Sequence, residues 1–212
     1  MKDQGLRGTE PKRFPRRISV FLNIPYDQGF QELYLAYISG VSAFGFVPRA
    51  TLEIPGGARR LDRIFSLIQS CRFSLHDLSR VELDRKHPPT PRFNMHFELG
   101  LSVAWQRIRT REHDWFVFEA KNHRLAKSLS DLNGTDPYIH NGEATGVFRE
   151  LCNAFVRAGR QPSVHQMRSI LHTLKGGLPD IQSRTGAQSV FEARVFREIC
   201  VAAKAAADRI VT

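Results

Sequence analysis

No stretch of this chain approaches the ~18 consecutive apolar residues that a membrane-spanning helix needs, so no membrane partner is expected. The opening Met1-Lys-Asp-Gln-Gly-Leu-Arg-Gly8 has no apolar run of the kind a secretory signal carries, and the expected location is the cytoplasm. Cysteine is scarce. Cys71, Cys152 and Cys200 lie far apart and are odd in number, which excludes a disulfide framework and reads as reduced, buried thiols. Their spacing fits no zinc pattern and the eight histidines are scattered, so no metal is expected. Glycine-rich loops with Walker or dinucleotide spacing are also missing.

The 212 residues, 42% hydrophobic and 25% charged, with a mean hydropathy of -0.32, suit one well-buried core with extra helices. Fifteen Phe against 3 Met favour a firmly packed interior. The net charge of +10 would attract polyanions, yet the basic residues are spread along the chain, with one cluster at Lys12-Arg-Phe-Pro-Arg-Arg17. Phosphate-bearing small molecules satisfy that charge as well as nucleic acid does, and nucleic acid is not the expected partner.

Periodicity orders the elements. A β-branched and aromatic run at 17–23 predicts a strand, helical spacing follows over 28–42, and 43–49 predicts a second strand. A helix over 60–70 and a strand over 71–77 complete another β-α-β unit. A long polar loop, 78–92, leads into the helix that carries Glu98, and 113–119 predicts a fourth strand. A short helix near 125–130, an edge strand around 137–140 and helices over 144–157, 163–174 and 189–210 follow. This alternation predicts an α/β fold with a central parallel sheet of 4–5 strands and helices on both faces. The expected organisation is a basic leader at 1–15, an α/β domain at 16–158 and a C-terminal helical extension at 159–212. The last helix presents Phe191, Val195, Ile199 and Ala202 on one face, which can pack on the domain or join a second copy as a homo-oligomer.

Glu98 stands out within this pattern. It lies on a helix whose Phe97, Leu101, Ala104 and Ile108 form an apolar stripe, with Asn94 one turn before it on the same face. A carboxylate there can answer the helix macrodipole and pair with Arg92, or it can serve a ligand at the mouth of the sheet.

The segment Ser74-Leu-His-Asp-Leu-Ser-Arg80, followed by Pro91-Arg-Phe-Asn-Met-His-Phe-Glu-Leu-Gly-Leu101 opening a helix, resembles the bacterial TIR-like proteins and the nucleoside 2-deoxyribosyltransferases. The likeness covers roughly residues 17–158. It implies a flavodoxin-like three-layer fold and an enzyme that breaks N-glycosidic bonds with Glu98 catalytic, Glu98-Leu99-Gly100 being like the Glu-Leu-Gly segment of the transferases. It also implies a non-catalytic alternative, since TIR-like domains serve as interaction modules. NAD or a related nucleotide is then the expected small-molecule partner, as substrate, with no cofactor.

Such a bond breaks through an oxocarbenium-like centre, which needs an anion beside the anomeric carbon. Asn23, Asp27, Asp77, Arg80, Arg92 and Asn94 are the candidate substrate-binding residues, the first five because they fall at strand ends or in the loops around Glu98, and Asn94 because it shares the helix face of Glu98. Each has a plainer role open to it. Asn23 can end its strand, Asp27 can cap the next helix, Asp77 can make a turn, Asn94 can satisfy free N–H groups at a helix start, and the arginines can be solvated. Gly56-Gly57-Ala-Arg-Arg60 can cradle a phosphate or be a plain loop, and Tyr26 and Phe93 can stack on a base or belong to the core.

Overall fold

Ser19–Asn23 forms β1, whose Val20, Phe21 and Leu22 are shut off from solvent on both faces, as a strand covered by helices on either side must be. The computed structural model describes residues 17–54, 59–81, 87–90, 93–110, 112–132 and 134–211. Beside β1 lie β2 (Val47–Ala50) and β3 (Phe73–Asp77), then β4 (Asp114–Glu119) and β5 (Tyr138–Ile139), in a parallel sheet of order β2-β1-β3-β4-β5. The order reverses at β1. The connections leaving β1 and β3 therefore depart to opposite faces and open a crevice at their carboxyl ends, where ligands bind in such sheets.

One face is covered by α1 (Gln31–Ala43) and α5 (Ala144–Ala154), the other by α2 (Arg60–Gln69), α3 (Asn94–Ile108) and α4 (Arg124–Ser128). This is the three-layer, flavodoxin-like α/β fold. Two longer helices, α6 (Val164–Thr185) and α7 (Ala193–Ile210), lie over α1 and share its core, so Leu33 to Ala43 is buried without interruption. The apolar face of α7, including Val195, Ile199 and Ala203, is consumed within the chain by this packing.

Of the boundaries that move from their sequence-based positions, two have a clear physical cause. Ala43 ends α1 and Gly45 turns with φ of 80°, so the second strand starts only at Val47. The helix expected over 163–174 runs on to Thr185 through Gly176, Gly177 and Pro179. Proline in a helix interior costs about 3 kcal/mol, but Met167, Ile170, Leu171, Leu174, Leu178 and Ile181 continue one buried stripe across it. Burial at about 1.5–3 kcal/mol per large apolar side chain outweighs that cost. Gly186, with φ of 63°, ends the helix.

On α5, a Cβ at Gly146 would sit 2.0 Å from the His140 carbonyl oxygen and 2.7 Å from its carbon, both rigid backbone atoms. Gly146→Ala is therefore expected to destabilise the protein by about 3 kcal/mol or more, read as a lowered urea midpoint. An unchanged midpoint would mean that α5 does not approach β5 this closely.

Candidate active site

The start of α3 is positioned by a polar seam on its side of the sheet. The Asn23 side-chain amide, at the end of β1, donates to the Met95 carbonyl at 2.7 Å and to His76 Nδ1 at 2.8 Å. Further along, the Ser102 hydroxyl donates to Ser74 Oγ at 3.3 Å, and Ser74 bonds His113 Nε2 at 2.8 Å. These bonds turn α3 so that Met95, Leu99 and Ser102 face inward. The stripe expected to be buried is instead largely on the outside, with Phe97 55% and Ile108 70% exposed. Unpaired buried polar groups are costly, so the seam rather than total hydrophobicity sets the rotation of α3.

This rotation brings Glu98 to the shoulder of a cleft of about 370 Å³, lined by Asn23, Ile24, Pro25, Tyr26, Thr51, Arg60, Asn94, Met95 and Glu98. It lies at the carboxyl end of β1, between the loops after β1 and β2 and the first turns of α2 and α3. The Glu98 carboxylate has no hydrogen-bond partner among the described residues. Burial pushes it up to about 7, and the Arg60 guanidinium offsets only part of that rise. Arg60 itself donates to the Ile54 carbonyl at 3.2 Å, which holds its side chain at the cleft wall. The Tyr26 hydroxyl donates to the Leu22 carbonyl at 3.2 Å and lies 3.5 Å from Thr51 Oγ1. Burial, reinforced by the nearby Glu98, raises the Tyr26 phenol well above its ordinary value, so it stays protonated. His76, fully buried beneath α3, is pushed down to about 3 by desolvation and is neutral. With the proton on Nε2 it accepts from Asn23 at Nδ1, and that Nε2 has no partner among the described residues.

Asn23, Asn94 and Glu98 are thus brought together. Asn23 has committed its amide nitrogen to the seam, which leaves its carbonyl oxygen for a ligand. Asp77 lies on the other face of the sheet. Register pairs Asn23 with His76, and the next residue along a strand points the opposite way, so Asp77 meets α1 instead. There it is fully buried, accepting from the Tyr37 hydroxyl at 2.8 Å, the Ser79 N–H at 2.9 Å and His140 Nε2 at 3.0 Å. Burial works to raise its carboxyl, but the hydrogen bonds from His140 and Ser79 prevail and hold it below the usual range. Although Ser79, His140 and Asp77 are neighbours, they do not form a nucleophilic triad. His140 Nδ1 accepts from the Gly142 N–H at 3.1 Å, so the single Nε2 proton faces both Ser79 and Asp77.

Asp27 and Arg80 pair with each other at 3.1 Å, tying the loop after β1 to the loop after β3, and Arg80 lies 6.0 Å over the Phe30 ring. Arg92, with Gly56, Gly57 and Ala58 of the glycine-containing loop, lies outside the described residues. Phe93 is 64% exposed beside the cleft. Among the described residues, no group of three or more His, Cys, Asp or Glu is placed to hold a metal ion, and no helix is long and apolar enough to cross a membrane.

No family model, curated protein or solved structure matches the chain. The chemistry of the cleft therefore rests on its own side chains. The sequence does not single out Thr51 or His76, and it ties Arg60 to the glycine loop rather than to Glu98. Thr51 carries no local signal, since only the packing of the turn after β2 against Tyr26 brings it there. The β-strand parity of His76 with Asn23 is hidden until the register is known.

Proposed function

We propose that this chain is a cytoplasmic N-glycosidase of the TIR-like and deoxyribosyltransferase-like kind, acting on NAD or a related nucleotide or nucleoside. The observation that carries this reading is Glu98: a carboxylate with no hydrogen-bond partner among the described residues, half-sheltered in a cleft at the switch point of the sheet. Its oxygen would sit beside the anomeric carbon as positive charge develops there. The bond from that carbon to the base nitrogen breaks with its electron pair leaving on the base, and water supplies the hydroxyl that replaces it. From NAD the nicotinamide departs neutral, so no proton need be donated and the ionised form of Glu98 is the working one. Arg60 is the group suited to a phosphate of the substrate, Asn94 and the Asn23 carbonyl oxygen to ribose hydroxyls, and Tyr26 to a ring face. About 370 Å³ suits a nucleoside or one half of a dinucleotide.

The test is the release of free base from NAD as a function of pH. The rate is expected to rise with pH through a midpoint of about 7, the value to which burial brings Glu98. Arg60→Gln removes the cation that favours the carboxylate, so the midpoint should move upward. Absence of release at every pH, from NAD and from nucleosides alike, would refute the reading. One observation favours a second reading, a non-catalytic module that senses a nucleotide or associates with itself: Phe93 and Phe97 are exposed on the turn that carries Glu98. Retention of NAD without turnover would select it.

A further inference from the structure

A second cavity, of about 380 Å³, lies on the far side of the turn Thr51–Glu53 and shares no lining residue with the Glu98 cleft. Its wall is apolar, built from Phe46, Val47 and Pro48 at the start of β2 and from Phe196, Cys200 and Val201 on α7. Burial pushes the Cys200 thiol well up, so this sulfur stays protonated and acts as part of the apolar wall. Val201 is 59% exposed at the mouth.

The polar groups around that wall are unbalanced. Arg17, Arg160, Arg197 and Lys204 face only Glu53 and Asp208. Glu53 is already paired with Arg49 at 2.8 Å and Asp208 with Lys204. Arg160 donates to the Ala207 carbonyl at 3.0 Å and to that of Val211, which fixes it at the end of α7, where it and Arg17 share the field of the Asp208 carboxylate with Lys204. Arg17 and Arg197 have no ion-pair partner among the described residues. At the floor, Ser42 of α1 is 3% exposed and its hydroxyl has no hydrogen-bond partner among the described residues. A buried hydroxyl left unpaired costs about 1–3 kcal/mol, and a ligand oxygen would recover it.

We infer that this cavity is a binding site for a small amphipathic anion, an apolar body carrying one carboxylate or phosphate. The body would lie along Phe46, Phe196 and Val201, and the anionic group would sit among Arg17, Arg160 and Arg197. The volume falls within the range of small-molecule sites, and the mix of an apolar wall with few convergent polar groups is what such sites require.

The test is a titration of the full-length chain with sodium octanoate, followed by amide chemical shifts, with octanol and inorganic phosphate as separate arms. Octanoate should give saturable shifts at Gly45, Val47, Val201 and Lys204, while octanol and phosphate at the same concentrations give little. Arg197→Glu reverses a rim charge and Val201→Asp places an anion on the apolar wall; both positions are exposed, so the fold should tolerate them. Each should weaken octanoate binding about tenfold or more. Octanol or phosphate binding as well as octanoate, shifts confined to other parts of the chain, or undiminished affinity in Arg197→Glu would each overturn the assignment.

Discussion

On acidification from pH 7 to pH 4.5, the Glu98→Gln protein is expected to lose about 3 kcal/mol of unfolding free energy that the natural chain keeps. Two buried groups titrate across this window in opposite senses. His76 is held neutral, its pKa lowered from 6.5 to about 3, so its contribution is complete above 6.5 and lost as pH falls towards 3. Desolvation lowers His113 as well, which adds in the same direction. Glu98 is raised from 4.5 to about 7, so its contribution is complete below 4.5 and lost as pH rises through 7. At about 1.4 kcal/mol per pKa unit, the two changes between pH 7 and 4.5 are each about 3 kcal/mol and nearly cancel. Glutamine at 98 removes one of them and exposes the other. His76→Asn should show the converse, a protein that gains stability on mild acidification. Urea unfolding of the three proteins at both pH values checks this, and parallel pH dependences in all three would mean that neither group is buried as described.

The second large effect is on activity. Glu98→Gln keeps the shape of the side chain and removes its charge, so the developing oxocarbenium centre loses the only carboxylate among the described residues that line the cleft. Loss of a preorganised electrostatic contact costs about 10²–10³-fold in rate, and loss of a nucleophile more. Base release should therefore fall by about 10³-fold or more, while stability at pH 7 is maintained or increased. A loss of activity accompanied by a loss of stability at pH 7 would point instead to a structural role for Glu98.

The parts of this protein legible in its sequence are those set by local periodicity. The strands at 17–23, 71–77 and 113–119 are close to β1, β3 and β4, and alternation with helices gave the parallel sheet. What eluded the sequence depends on partners far along the chain. Gly176-Gly-Leu-Pro179 reads as a break, and only the stripe continued by Leu178 and Ile181 against α1 and α7 carries α6 through it. Phe97 and Ile108 read as core, but the Asn23, Ser74 and His76 seam pulls the Ser102 side of α3 inward. Asp77 has the right position at a strand end and the wrong parity, which one residue of register decides. Glu98 and Asn94 were legible because both lie in the first turns of one helix. Arg60, the electrostatic partner of Glu98 across the cleft, comes from another.

The measurement that bears most directly on the central claim is an end-point chromatographic assay of the natural chain and Glu98→Gln, side by side, with NAD, NADP, nucleosides and deoxynucleotides. The account predicts free base from at least one substrate with the natural chain and none above background with the variant. Equal release by both proteins, or none by either when both are folded, would contradict it.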